Sequence, residues 1–328
     1  MGLIALAVAL LIEQLRPLAP DSRPHRFARE AVDLARRHSS TERSFDATLG
    51  WFAVVVGSIV LVMLLQWIAE AIGSLASFLL HVVILYLSIG FRQFGHHLRE
   101  ILAALDRDEL ARADSLLGTW VAASQCEPRV RGATPDGVDG PPPGRIRLCR
   151  AAITHALVSA HREFFGPVLA YLLLPGAIGP VAYRMVDLMA RRWAATGMDD
   201  AHARVAARGL RIVDWIPLRV TAAGFAIAGD FEDSTYCWRA AIAAGAGHDQ
   251  RAMLVAVGSG SLGLDLVDPE RDRHWAGPPA DGLGPAFDWR GAAPDVGGIR
   301  STIGLIWRAA TLVVGIFVLV ALSSWLGR

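Results

Sequence analysis

Seven ionisable residues stand in stretches that are otherwise apolar: Arg162, Arg184, Asp187, Arg208, Arg211, Asp214 and Arg219. Charge at membrane depth is costly and normally faces a protein interior or a wet cavity. Arg184 and Asp187 are i,i+3, as are Arg211 and Asp214, so each pair can share one helix face. Two roles fit the set. The weightier is ion pairing that locks helices together without a ligand, because a buried arginine needs a partner whatever else it does. The other is a basic pocket for an anionic small molecule, a phosphate or a lipid head group, since arginine outnumbers aspartate there. In that case Arg162, Arg208 and Arg219 are expected to converge on one polar cavity.

Other chemistry finds little support. GSGSLG at 258–263 lacks the strand before and helix after that phosphate cradling needs, and is expected to be a loop. The neighbours His96 and His97 would point about 100° apart on a helix, and His155 and His161 also miss one face, so interface histidines are expected rather than a metal site. DFEDS at 230–234 lacks calcium-loop spacing and reads as a solvated acidic turn. Cys126, Cys149 and Cys237 are scattered, giving neither a disulfide framework nor a zinc site. No G-x-S-x-G elbow occurs. The sequence contains no lysine and no asparagine, so all 32 basic residues are arginine, which removes phosphate-loop and Schiff-base lysines. No catalytic residue, metal or cofactor is read from these patterns.

The chain that positions these residues has 328 residues, 53% hydrophobic and 19% charged, with mean hydropathy +0.38. Soluble domains are usually about a quarter charged. The composition therefore indicates a chain partly solvated by lipid and excludes disorder, collagen and coiled coil. A net charge of +1 supplies no field to attract nucleic acid.

The strongest signal is the run from Trp51 to Phe91, with Glu70 and His81 as its only charge-bearing candidates. It is long enough for two helical spans, 51–70 and 74–91, joined by a tight hairpin near Glu70 to Ser74. Further spans are expected at 2–17, at 164–190 (broken or hairpin, because of Pro167, Pro175, Gly176, Gly179 and Pro180), at 210–229 and at 303–326. Residues 17–50 and 92–163 are water-compatible, with short amphipathic helices and a break near Asp106, where Asp106 or Asp108 could cap the next helix. Segments 128–147 and 230–300 read as loops. The expected fold is all-α: one polytopic integral membrane helical bundle over 1–328, with amphipathic cytoplasmic helices and long irregular loops. Arginine placement puts the N-terminus outside and gives roughly seven crossings, or five if 164–190 only re-enters. Membrane lipids are the expected surroundings.

Three stretches carry a resemblance: GLIALAVALLIEQLRPL, HREFFGPVLAYLLLPGAIGPVAYRMVDL and RIVDWIPLRVTAAGFAIAGDFEDSTYCW. Together they resemble the superfamily that unites AmpE-type bacterial inner-membrane proteins, linked to β-lactamase induction, with the CobD/CbiB cobalamin synthases. The synthases join an aminopropanol, or its phosphate, to adenosylcobyric acid with ATP. Where they have Glu-Asn-x-x-Asp before Ala-Pro, this chain has Val158, Ser159 and Arg162 before Gly166-Pro167. Their Asn-Thr-Leu-Asp-Ser corresponds to Asp187, Leu188, Met189, Ala190 and Arg191 after Tyr183. Their Arg-Leu-Asp-Asp run and its sequel correspond to Arg208, Gly209, Leu210 and Arg211, then Asp214, Pro217, Leu218 and Arg219. Arg208, Pro217 and Arg219 keep the family's residue types, while acids that would hold Mg-ATP are exchanged.

Magnesium needs carboxylate oxygens, so replacing Asp by Arg inverts the charge it would meet. The AmpE branch is similar in having an arginine five residues before its proline, as Arg162 stands before Pro167, and in Asp214-Trp215-x-Pro217-x-Arg219. The resemblance thus implies an AmpE-like inner-membrane protein with a signalling or scaffolding role and an unidentified protein partner, without amide ligation. The alternative it implies is a CobD/CbiB-type adenosylcobinamide-phosphate synthase. A transporter draws only on the broken segment 164–190, and no matching second segment is present.

Overall fold

In the computed structural model the described residues are 2–15, 23–37, 44–124, 144–174, 176–194, 201–268, 272, 287 and 289–326. They form, in chain order, α1 (Gly2–Leu15), α2 (Arg23–Arg37), α3 (Ser44–Ile72), α4 (Ser74–Ser88), α5 (Phe91–Asp106), α6 (Leu110–Ser124) and α7 (Arg145–Ala160). A π-helical turn, His161–Phe165, leads into α8 (Gly166–Leu173), α9 (Ile178–Ala194), α10 (Ala201–Val213), α11 (Trp215–Ala228), α12 (Phe231–Ala243), α13 (Gln250–Leu262) and α14 (Val296–Leu326). Among the described residues the only β pairing is an isolated bridge between Leu264 and Ala292. The fold is all-helical, as the apolar periodicity requires. Cys126 and the 128–143 part of the expected 128–147 loop lie outside the described residues, and α7 begins already at Arg145.

Two of these helices are long and apolar enough to cross a membrane: Phe45–Ile72 within α3 and Val296–Val320 within α14. Only 17% and 28% of their most apolar windows are buried, so neither is the enclosed core helix of a soluble domain. The hairpin expected near Glu70 to Ser74 is present, turned by Gly73 at φ +144. α1, α4 and α11, of 14, 15 and 14 residues, are apolar but shorter. At 1.5 Å per residue each is about 21–23 Å long, against roughly 30 Å of hydrocarbon. Segment 164–190 is broken between α8 and α9, where Gly176 takes φ +70. Segment 210–229 breaks too: α10 ends at Val213, and Pro217 has no N–H to offer the Val213 carbonyl four residues back.

The chain divides into two units, one from 1–93 and 162–217, the other from 94–124, 144–161 and 218–326 among the described residues. In the first, α9 packs on α10, α8, α3, α2 and α4. Its core joins Val32, Val55, Met185, Val186, Met189, Trp193, Ala206 and Leu210. Gly209 admits the Trp51 ring, since a Cβ there would lie 2.4 Å from Trp51 Cζ2.

In the second, α13 packs on α12, α7 and α14. Here two expectations are corrected. Residues 230–300 begin with α12 and α13 rather than a loop: the side chains of Asp230 and Asp249 accept from the backbone N–H of Asp233 and Ala252 and start these helices. The acidic DFEDS run is therefore a helix start. GSGSLG is likewise no loop but the buried last turns of α13, closed by Gly263 in the left-handed region at φ +66. Its small residues let backbones touch; a Cβ on Gly260 would sit 2.5 Å from the Asp233 carbonyl oxygen. Alternating glycine and serine looks like a loop in one dimension, but between packed helices it is a close-approach surface.

Candidate functional site

Pro167 shapes the site. Lacking an N–H, it cannot bond the Glu163 carbonyl in helical fashion, and its ring crowds that position. The chain widens into the π-helical turn His161–Phe165, and the Glu163 carbonyl instead accepts from the Gly90 N–H at 3.1 Å. This lets Arg162 and Glu163 both meet α9, where Arg184, Asp187 and Arg191 fall on one face by their spacings of three and four.

Asp187, fully buried, sits between two guanidinium groups: Arg162 Nε lies 3.7 Å from its Oδ1, and Arg191 Nη2 bonds its Oδ2. Arg184 Nε donates to the Ser88 carbonyl. A Cβ on Gly90 would lie 3.6 Å from both Arg184 Nη2 and Glu163 Oε2, so that guanidinium and carboxylate flank Gly90 together. Burial pushes the Glu163 carboxyl up to about 7; Arg184 and Arg191 pull it down, while Asp187 and Glu13 add to the rise. Next to them Tyr183 donates its phenolic proton to Asp214 Oδ1 at 3.0 Å. The ring stands against Gly166, where a Cβ would fall 2.1 Å from Tyr183 Cζ.

Of the seven residues singled out from sequence, Arg162, Arg184 and Asp187 meet here, but Arg184 turns to a carbonyl rather than pairing with Asp187. Asp214 is buried on Tyr183, whereas Arg208 and Arg211 are exposed on α10. Arg219 belongs to the second unit and donates to the Gly247 carbonyl at 3.4 Å. Two members were not singled out. Arg191 stands i,i+4 from Asp187, and Glu163 stands four residues before Pro167, which are the signals that could have found them. Arg192 also has an acid: it forms a bidentate pair with Asp33 of α2 at 2.9 and 2.6 Å.

Of the four histidines singled out, His155, His161 and His97 are interior or packed on an aromatic ring, whereas His96 is exposed 3.6 Å from Glu100. His155 is edge-on to Trp120, with Nε2 3.2 Å from Ser124 Oγ. His161 bonds Thr221 at 2.9 Å, and His97 stacks on Trp120. Among the described residues no group of three or more His, Cys, Asp or Glu is arranged to hold a metal.

The family model described as "Regulatory signalling modulator protein AmpE" matches residues 32–265, a stretch that contains the whole π turn and α9. The chain belongs to the AmpE family. Similar curated proteins are two named "Cobalamin biosynthesis protein CobD". That of Stutzerimonas stutzeri is 24% identical over 265 residues, covering 80% of this chain and 78% of its own length. That of Chromobacterium violaceum is 26% identical over 293 residues, covering 85% and 86%. No solved structure matches the chain. Family membership and the two apolar helices together point to a membrane protein.

Proposed function

We propose that this AmpE-family chain is a multi-pass bacterial inner-membrane signalling modulator that senses an anion at the cluster of Arg162, Arg184 and Arg191 and forms no amide bond. What carries this reading is the gathering of three guanidinium groups around Asp187 and Glu163. A half-buried arginine trio provides donors of the geometry that phosphate and carboxylate groups accept. Proton uptake by Glu163 removes one competing negative charge, so protonation and anion binding support each other.

The remaining apolar helices, α1, α4 and α11, would complete the polytopic bundle by packing against the longer spans. The CobD relatives favour a second reading, a cobalamin-pathway amide synthase, because they cover most of their own length here. Deleting the gene from its bacterial host separates the two. Loss of an inducible response such as β-lactamase expression, with corrinoid assembly intact, is the expected result. The response should return with the wild-type gene and fail to return with Arg162→Ala. A deletion strain that cannot assemble corrinoids, or a purified protein that amidates a corrinoid with ATP, would establish the synthase instead.

A further inference from the structure

Near their junction, α3 and α4 carry polar side chains on one face each. On α3 these are Gln66 and Glu70, four apart; on α4 they are Ser74, Ser77 and His81, three and four apart. With Ala5 of α1 and Phe78 they line a cavity of about 440 Å3. Gln66 Nε2 donates to Glu70 Oε1 at 3.2 Å within α3, a bond that ties no helix to another. Polar residues in helices this apolar usually line a ligand path.

The lining is held in place. Gly176 leaves room for the Gln66 amide, because a Cβ there would lie 2.5 Å from Gln66 Oε1. Tyr171 Oη lies 3.0 Å from His81 Nδ1 and 3.4 Å from the Gly2 carbonyl oxygen, which holds the imidazole against α8. Glu70 is the one carboxylate of the lining, and its oxygens and the serine hydroxyl oxygens can accept hydrogen bonds. Phe78 adds an aromatic face for a cation. Trp67, Leu75 and Leu79, each next in sequence to a lining residue, are exposed apolar side chains suited to acyl chains.

We propose that this cavity binds the primary ammonium head group of an aminophospholipid. Three N–H donors match its acceptors, whereas a head group bearing only phosphate and hydroxyls meets the Glu70 carboxylate. The assignment does not rest on the signalling reading.

The full chain in phosphatidylcholine nanodiscs, doped with phosphatidylethanolamine or phosphatidylglycerol and released for native mass spectrometry, tests it. Phosphatidylethanolamine should be retained at least about tenfold over the other two, and Glu70→Gln should remove about that factor. Ser77→Ala, which changes no charge, should lower retention by a smaller factor. Added ethanolamine should compete weakly. Equal retention by Glu70→Gln and wild type, or equal retention of phosphatidylglycerol, would overturn the proposal. Ethanolamine binding without retention of phosphatidylethanolamine would overturn the lipid source.

Discussion

In the first unit α9 turns Asp187 and its arginines inward beside Glu163, whereas in the second α7 and α13 bury almost only apolar and hydroxyl side chains. The second unit settles much of its interior with short neutral contacts, although buried Asp272 lies 3.5 Å from Arg251 of α13. Ser234 Oγ meets Ser261 Oγ at 2.8 Å, the Asp230 N–H bonds the Ser261 carbonyl at 3.2 Å, and glycines admit neighbouring backbones. Several of its charges stand at the surface, as in Arg300 with Asp106 and Arg145 with Asp108. Stability alone is served by the second arrangement. Buried ion pairs cost several kcal/mol of desolvation per ion and are often no better than apolar packing. The first unit gathers more charge around one buried acid, and the proposed function rests on that cluster.

The comparison can be broken by substitution. The largest effect should come from Asp187→Ala, which removes the fully buried carboxylate shared by two half-buried guanidinium groups. A loss of about 3–5 kcal/mol in unfolding free energy is expected, read by denaturation in detergent; a loss below about 1 kcal/mol would mean that water already screens the cluster.

Next comes a pH effect confined to the first unit. Glu163 titrates near 7 when folded against 4.5 as its ordinary value, so the folded state holds more protons in between. Stability should therefore fall as pH rises from about 4.5 to about 7, by on the order of a few kcal/mol, and then level off. Glu163→Gln should flatten that part of the thermal-unfolding profile. An unchanged slope would assign the titration elsewhere.

Gly260→Ala probes the second unit through shape alone and should cost about 1–3 kcal/mol by forcing α12 from α13, with no pH dependence. Smallest is Arg300→Ala at the surface pair, expected to cost under about 1 kcal/mol; a larger loss would place real electrostatic weight in the second unit and weaken the contrast.

Sequence indicated the helical class, a hairpin near Glu70 to Ser74 and an interruption within 164–190, because apolar run length, glycine and proline act locally. It did not show depth. Arg208 and Arg211 have the same type and spacing signals as Arg162 and Arg184, yet they face out on α10, since exposure depends on which neighbour covers a face. Spacing also paired Arg184 with Asp187, whereas the structure gives Asp187 to Arg162 and Arg191 and hands Arg184 a carbonyl from the end of α4. Helices α12 and α13 were missed because small residues and aspartates mark turns as readily as they mark caps and tight packing.

The extra residue accommodated at 161–165 has a consequence for inheritance. A π turn takes up one added residue locally within an otherwise α-helical run. Losing a single position there, while keeping every charged group, is expected to tighten the turn and re-aim Arg162 and Glu163 against α9. Descendants of this gene can therefore vary the geometry of the cluster through one codon's length.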